Sequence, residues 1–432
     1  MKNTLRILMI IIIVLTALAT ADDIVKTGIN IGPLPSVAYN SDTGFQYGLL
    51  ANIFFYGDGS IYPEYFHNVY VEWNQTTKGA GLATIQYDSE HLIPGIRITA
   101  DISNIVQQSW GFYGFNGAQS VYNASWLDDT PSNADYKNRL YYAMQRNYFR
   151  LLVNFQGNIT GDNFRWLGGL GFMSFNIGSV TETRAWDTTF TDNTTLYDDF
   201  VGWGAISASE ADGGIVTYLK GGIVYDTRDN EACPMTGLWD ELVITAAPGF
   251  VGNESGWLQV AAIHRQYFTI IPKDLSLTYR LGYQGVIAGT MPFYLQGMMP
   301  NSRTTVDGLG GNKTVRGIMR ARMVGDGYIY ANFEARWKIV HFTLGTQNFY
   351  FGINPFVDAG MVIQPYQYDK TSIPAGVIDD YISGSNETLH IGYGMGIKLA
   401  MNQNMILAVD YGFAGSSNDG STGLYIGLGY LY

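Results

Sequence analysis

The residues of this chain best suited to a specific polar interaction are one arginine and two carboxylates. Arg316 lies in a long polar segment, and Glu334 and Asp358 lie in the segments that follow it. An arginine can bind a carboxylate through two parallel hydrogen bonds, and breaking such a pair inside a protein costs about 3–5 kcal/mol. If the fold brings these three residues together, the arginine–carboxylate pair has one of two roles. It is either a lock that holds the long segment and can be released, or a permanent contact that keeps this segment in place as a plug. The sequence leaves both open.

Residues typical of catalysis or metal binding are scattered along the chain. None of the five histidines belongs to an H-E-x-x-H or similar spacing, and no Ser-His-Asp set is visible. The single cysteine, Cys233, cannot form an internal disulfide and has no histidine near it in the sequence. We therefore predict that the chain is not an enzyme and has no catalytic residue, metal site or cofactor.

The composition indicates which kind of fold must position these residues. The 432 residues are 47% hydrophobic but only 14% charged, whereas soluble domains carry about 25% charged residues. This excludes a disordered chain, and the lack of repeated apolar runs of about 20 residues argues against a helical membrane protein. The 52 glycines, 31 tyrosines and 22 phenylalanines are typical of a membrane β-barrel. The net charge of −12 argues against nucleic-acid binding.

The first 21 residues have the features of a secretory signal peptide. Lys2 and Arg6 precede an apolar run over 7–18, and Ala19 and Ala21 form a cleavage site of the A-x-A type. We predict a signal peptide over 1–21 and a single transmembrane domain over 22–432, because no linker or second domain is visible after the signal.

Strict alternation of apolar and polar residues predicts strands with one face toward lipid and one toward a lumen. Over 327–340 the apolar set includes Phe333 and Ala335, and the polar set includes Glu334. Asp358 alternates with Val357 in the same way within 349–361. A helix does not sustain a period of two, and lipid rejects charged side chains. Both carboxylates are therefore expected to point into the lumen.

Counting such segments predicts an all-β outer-membrane barrel of about sixteen antiparallel strands. The first strand is 36–39, with an extension back to 31, and the last is 421–431. The long polar segments 113–138, 177–213, 289–326 and 364–388 all fall on odd connections, which are the outer loops if the chain starts in the periplasm. The segment 289–326, which carries Arg316, is the sixth outer loop.

The tip of this sixth loop carries the first of three motifs that resemble a known family. Gly310-Gly311-Asn312-Lys313-Thr314-Val315-Arg316-Gly317-Ile318 is similar to the GG…VRG(F/Y) motif of the bacterial surface antigen superfamily of outer-membrane insertases and translocators, the BamA and TamA type. In that family the loop folds back into the barrel lumen. The resemblance implies that Val315, Arg316, Gly317 and Ile318 form the loop-lock motif, with Ile318 where the family has an aromatic residue.

Two further motifs fall at the strand numbers where the family has them. Phe356-Val357-Asp358-Ala359-Gly360 resembles the family's F-x-D-x-G on the thirteenth strand, and the resemblance assigns Phe356 and Gly360 to this strand motif. The segment between the eighth and ninth strands is similar to the Y-D-x-R-D…P-x-G turn of the family, with Tyr225, Asp226, Arg228, Asp229, Pro234 and Gly237 at the matching positions. Family members usually carry periplasmic polypeptide-transport-associated repeats before the barrel, and this chain shows none.

The resemblance implies a protein of the bacterial outer membrane that assists the insertion or export of proteins. Its partners would be the lipid bilayer with its lipopolysaccharide, unfolded outer-membrane or exported proteins, and a separate periplasmic protein. Pro33 and Pro35 cannot donate ladder hydrogen bonds, so the seam between the first and last strands is expected to be weak. The alternatives are a passive or gated pore, or lipid or solute conduit, and a surface-exposed adhesin or antigen.

Overall fold

The fold is described from a computed structural model. It describes residues 25–40, 43–62, 64–180, 194–253, 255–303, 305–344, 347–401 and 405–432. The predicted signal peptide, 1–21, lies outside these residues. In the described part of the chain, no helix is long and apolar enough to cross a membrane.

Within these residues, sixteen antiparallel strands form one closed barrel, which confirms the predicted fold class. The first strand, β1, consists of two segments, Ile29–Pro35 and Ala38–Asn40. The others are β2 Gly44–Phe55, β3 His67–Thr76, β4 Ala80–Ile93, β5 Ile96–Gln107, β6 Ala143–Thr160, β7 Phe164–Gly178, β8 Ile215–Asp226, β9 Gly237–Ala247, β10 Trp257–Ile271, β11 Leu275–Gly289, β12 Gly327–Leu344, β13 Gln347–Gln364, β14 His390–Met401, β15 Met405–Ala414 and β16 Thr422–Leu428.

The alternation of side chains along each strand separates the lipid face from the lumen. On β12, Phe333 and Trp337 are 49% and 45% exposed, while Glu334 and Arg336 between them are fully buried. The same alternation continues along β13, where Val357 is exposed and Asp358 is buried. Polar and charged residues that lipid would reject therefore face the interior of the barrel.

The long connections lie at one end of the barrel and close it with aromatic side chains. They include the short helices α1 Leu196–Gly202 and α2 Ile378–Tyr381. A buried cluster joins these loops, with members from the third, fourth, sixth and seventh outer loops: Phe115, Trp126, Tyr141, Phe200, Phe293 and Tyr381. The outer mouth of the barrel is thereby covered.

The seam between the first and last strands has few residue pairs. The segment Ile29–Pro35 pairs along its whole length with β2, so the prolines do not weaken that side of β1. Toward β16, the described residues form two pairs, Tyr39 with Ile426 and Asn40 with Tyr425, whereas β15 and β16 share seven. The edge of the segment Ile29–Pro35 that does not pair with β2 lies along the periplasmic half of the seam.

The predicted last strand, 421–431, is too long at its end. In the structure β16 ends at Leu428, and Gly429 has a φ of 82°, a left-handed conformation that glycine adopts readily. The chain then turns into the lumen, where the guanidinium of Arg336 lies 4.3 Å from the ring centre of Tyr430 and 4.9 Å from that of Tyr432. Stacking on a buried cation replaces further pairing along the barrel wall.

Candidate functional site

The sixth loop, 290–326, runs down the inside of the barrel. Near the outer mouth, Phe293 and Tyr294 belong to the aromatic cluster. The loop then forms a small hairpin in which Met298–Pro300 pairs with Thr305–Asp307. Its second half carries the VRG residues, of which Val315 and Arg316 are buried. The loop thus lies in the lumen rather than on the outer surface.

The structure places Arg316 against both carboxylates that the sequence singled out. Its Nε donates to Oδ2 of Asp358 at 2.8 Å and its Nη2 to Oδ1 at 3.0 Å, which is a bidentate pair. The backbone N–H of Arg316 donates to the same carboxylate at 3.0 Å. Nη1 lies 2.7 Å from Oε1 of Glu334, and the guanidinium lies 3.5 Å from the ring centre of Phe356. All of these groups are buried, so water competes weakly for them.

Further charges around Arg316 balance the site, and the sequence reasoning did not include them. Asp410 of β15 lies 3.8 Å from Nη1 of Arg316 and accepts a hydrogen bond of 2.7 Å from Lys398. Arg336 donates to Glu334 at 2.8 Å. Burial would lower the pKa of the Arg316 guanidinium, but Asp358 and Glu334 outweigh this and hold the pKa above its ordinary value. Three carboxylates therefore meet three cations, and Arg316 stays charged.

Glycines on the lumen face let the loop backbone approach the wall closely. A Cβ atom on Gly392 of β14 would lie 2.0 Å from the carbonyl oxygen of Arg316. Gly317 has a φ of 92°, and a Cβ there would lie 2.5 Å from the carbonyl oxygen of Phe413. Such contacts leave no room for a side chain at either position. The glycines of the VRG motif and of β14 therefore set how deeply the arginine is seated.

Apolar residues of the loop pack beside the ion pair. Val315 and Ile318 are buried in a cluster that also contains Leu309 and Tyr330. Ile318 occupies the position at which the VRG(F/Y) motif has an aromatic residue. A Cβ on Gly360 of β13 would lie 3.1 Å from Leu309, so this strand glycine also borders the loop. The loop is held by apolar packing as well as by charge.

The turn motif between β8 and β9 lies at the opposite, periplasmic end of the barrel and is separate from Arg316. Arg228 donates to Asp226 through Nε at 2.9 Å and Nη2 at 2.6 Å. Oδ1 of Asp229 accepts from two backbone N–H groups, those of Met235 and Thr236. The other three residues of the turn motif are Tyr225, Pro234 and Gly237. Tyr225 is 40% exposed, Pro234 is buried, and Gly237 has a φ of 97°.

This turn binds a second part of the sixth loop, which sequence reasoning missed. Arg303, next to the tip of the small hairpin, donates to Glu231 at 3.1 and 2.6 Å. Nearby, Glu241 accepts from the backbone N–H of Ser302 at 2.9 Å. Burial would raise the pKa of Glu231, but Arg303 and its neighbouring arginines hold that pKa well below its ordinary value. We call the Arg303–Glu231 contact the periplasmic clasp.

The same turn extends across the periplasmic mouth of the lumen. On one side Glu231 lies 3.4 Å from Arg97 of β5. On the other, the sulfur of Cys233 accepts a hydrogen bond of 3.4 Å from the hydroxyl of Tyr350 on β13, and it packs against Ile406 of β15. The turn therefore covers the periplasmic mouth of the lumen. Among the described residues, no group of three or more His, Cys, Asp or Glu side chains is placed to hold a metal ion.

Comparison with known proteins gives a family match over most of the chain. A family model described as the Omp85 superfamily domain matches residues 107–431. BamA from Haemophilus ducreyi lacking POTRA domains 1–3 is 12% identical with a TM-score of 0.54, and the match covers 94% of this chain and 71% of that one. CdiB from Escherichia coli is 10% identical with a TM-score of 0.54, covering 94% of this chain and 64% of that one. No curated protein sequence matched.

Proposed function

The chain belongs to the Omp85 superfamily, and from this membership we propose that its barrel assists the insertion or export of proteins at the bacterial outer membrane. The barrel itself is an outer-membrane barrel with the fold of those in BamA and CdiB. The observation that carries the proposal is the seam, where the described residues of β1 and β16 share two pairs. A strand edge that is free along most of its length can pair with an incoming strand.

We propose that the sixth loop is a lock on this seam. The backbone N–H of Gly317 donates to the hydroxyl of Tyr425 at 3.2 Å, and Tyr425 is one of the β16 residues paired with β1. Releasing Arg316 from Asp358 would therefore withdraw a contact from the seam strand. A loop that only fills the lumen would not need a contact with the seam strand. The hydrogen bond between Gly317 and Tyr425 therefore favours a lock over a permanent plug.

We propose three kinds of partner for the barrel. They are the bilayer with its lipopolysaccharide, unfolded outer-membrane or exported proteins, and a separate periplasmic protein that supplies what the family's repeats supply. We propose no nucleic-acid partner and no covalent chemistry. A signal peptide over 1–21 and one domain over 22–432 stay predictions.

The test is to reconstitute the chain in liposomes and add an eight-stranded outer-membrane barrel unfolded in urea. We expect the chain to speed the appearance of the folded, protease-resistant reporter, in comparison with liposomes that hold an unrelated closed barrel of similar size. Equal rates in the two preparations would contradict insertion. Escape of a small solute from the liposomes, with no folding of the reporter, would instead support the pore alternative. The occupied lumen argues against a pore.

An adhesin makes a different prediction. Its function would reside in the outer loops, so removing 364–388 would abolish it while exchange of Arg316 would not. Under our proposal, exchange of Arg316 changes the activity and removal of 364–388 does not. Both variants can be compared in the same liposome assay.

A further inference from the structure

Three polar side chains form a hydrogen-bonded group on the outer wall of the barrel, where the wall faces lipid. Oδ1 of Asp240 on β9 lies 2.6 Å from Nδ1 of His264 on β10. Nε2 of His264 lies 3.1 Å from the hydroxyl of Tyr279 on β11. The Asp240 and His264 side chains are 42% and 36% exposed. Ionisable groups that face lipid are costly and rare, so a group of this kind points to a ligand.

The group lies within the apolar band of the wall, in its periplasmic half. Asp240 is the fourth residue of β9, which begins at the periplasmic turn. Along the outward face of β10, Phe268 and Ile270 continue toward the periplasm and are 46% and 52% exposed. In the other direction Leu281 of β11 is 49% exposed. The group is therefore at the depth of the inner leaflet.

Hydrogen bonding leaves the carboxylate with unused capacity. Both ring nitrogens of His264 are occupied within the group, Nδ1 by Asp240 and Nε2 by the hydroxyl of Tyr279. Within the described residues, His264 is the only ion-pair partner of Asp240. The second carboxylate oxygen can accept from a cation outside the chain.

A groove begins at this group and crosses the outer wall. Its volume is about 650 Å³, and its floor includes the small side chains Ala262, Ala331 and Ala359. In the register of the sheet, His264 pairs with Leu281, Leu281 with Ala331, and Ala331 with Ala359. From β9 to β13 this is four strand spacings, or roughly 19 Å. The groove is thus slightly longer than one leaflet, which is about 15 Å thick, and suits one tilted acyl chain.

We propose that this group and groove bind one phospholipid of the inner leaflet whose headgroup carries a primary ammonium. The ammonium donates to Asp240, whose orientation His264 and Tyr279 fix. One acyl chain lies over the alanines of the groove. A zwitterionic or anionic lipid without an ammonium N–H would fill the groove but leave the carboxylate without a partner.

The test is native mass spectrometry of the detergent-purified chain with equal amounts of phosphatidylethanolamine and phosphatidylglycerol of identical acyl chains. We expect one bound phosphatidylethanolamine, preferred by about tenfold, because a charge-assisted hydrogen bond distinguishes the headgroups. Asp240→Asn should abolish this preference. The matched control is Asp274→Asn, since Asp274 lies 2.9 Å from His341 in another exposed pair, outside the groove. Equal retention of both lipids by the parent chain would overturn the proposal.

The groove is tested separately by filling it. Ala359→Phe should weaken retention of both lipids, while Ala335→Phe, which is also on an outward strand face but outside the groove, should not. Folding of each variant is checked by its heat-dependent mobility on a gel. A preference that survives Asp240→Asn would overturn the headgroup assignment, and equal effects of the two phenylalanine variants would overturn the acyl-chain assignment.

Discussion

Exchange of Arg316 for alanine is the perturbation that most directly probes the sixth loop. It removes a bidentate pair with Asp358 and the contact with Glu334, so Asp358 is buried without its cation while Glu334 keeps its contact with Arg336. Breaking a buried pair by removing one partner costs about 3–5 kcal/mol. This corresponds to an increase of between about 100-fold and a few thousand-fold in the population with the loop released. The loop keeps its apolar packing and the periplasmic clasp, so release should be transient.

The assay is single-channel conductance in planar bilayers. We expect the parent barrel to be closed nearly all the time, and Arg316→Ala to open frequently. Arg316→Lys should be intermediate, because a lysine keeps the charge but cannot bind a carboxylate through two donors. Arg320→Ala is the control, since Arg320 lies on the same loop but stacks on Trp110 at 4.0 Å, away from the lock.

A second measurement guards against a folding defect. Adding Asp358→Asn to Arg316→Ala removes the buried charge that the first exchange leaves unpaired, so the double variant should unfold at a higher temperature than Arg316→Ala alone. Well-folded Arg316→Ala barrels with the open fraction of the parent would refute the reasoning that the ion pair holds the loop.

Three further predictions concern other parts of the loop. Arg303→Gln should raise hydrogen exchange in 227–236 with at most about 1 kcal/mol of lost stability, because Arg303 and Glu231 are 30% and 54% exposed. Adding Glu231→Gln should have only a small further effect, from the loss of the 3.4 Å contact between Glu231 and Arg97. Gly392→Ala should raise conductance like Arg316→Ala, because its Cβ would lie 2.0 Å from a backbone oxygen, and parent-like closure would contradict this. Burial raises the pKa of Asp326 to about 6. Its protonation therefore stabilises the fold at low pH, and this stability is lost as pH rises through 6. Between pH 7.5 and pH 5, the melting temperature of the parent should rise by more than that of Asp326→Asn.

The strands and their faces could be predicted from the sequence because lipid imposes a strict physical rule. Every second residue of a strand must be acceptable to lipid, so alternation alone placed Glu334 and Asp358 in the lumen. Alternating residues over 389–401 predict a further strand by the same rule, and the structure has it as His390–Met401. That alternation also places Lys398 on the lumen side, although nothing in its spacing connects it with Arg316.

The course of chain segments inside the lumen could not be predicted in this way. Arg303 and Glu231 are 72 residues apart, and their contact depends on how two connections fold within the barrel. The alternating pattern of 421–431 fits either a full strand or an inward turn, and the backbone at Gly429 decides between them. Alternation reports which face a residue takes, but not where a loop goes.

Seam crosslinking tests the central claim most directly. In a Cys233→Ser background, Tyr39→Cys and Ile426→Cys place two thiols at paired positions of β1 and β16, within reach of a disulfide. The control disulfide joins Ile397 and Val409, which pair between β14 and β15 away from the seam. We predict that the seam disulfide stops folding of the reporter barrel in liposomes, that a reductant restores it, and that the control disulfide has no effect. Full activity with the seam quantitatively crosslinked would contradict the account.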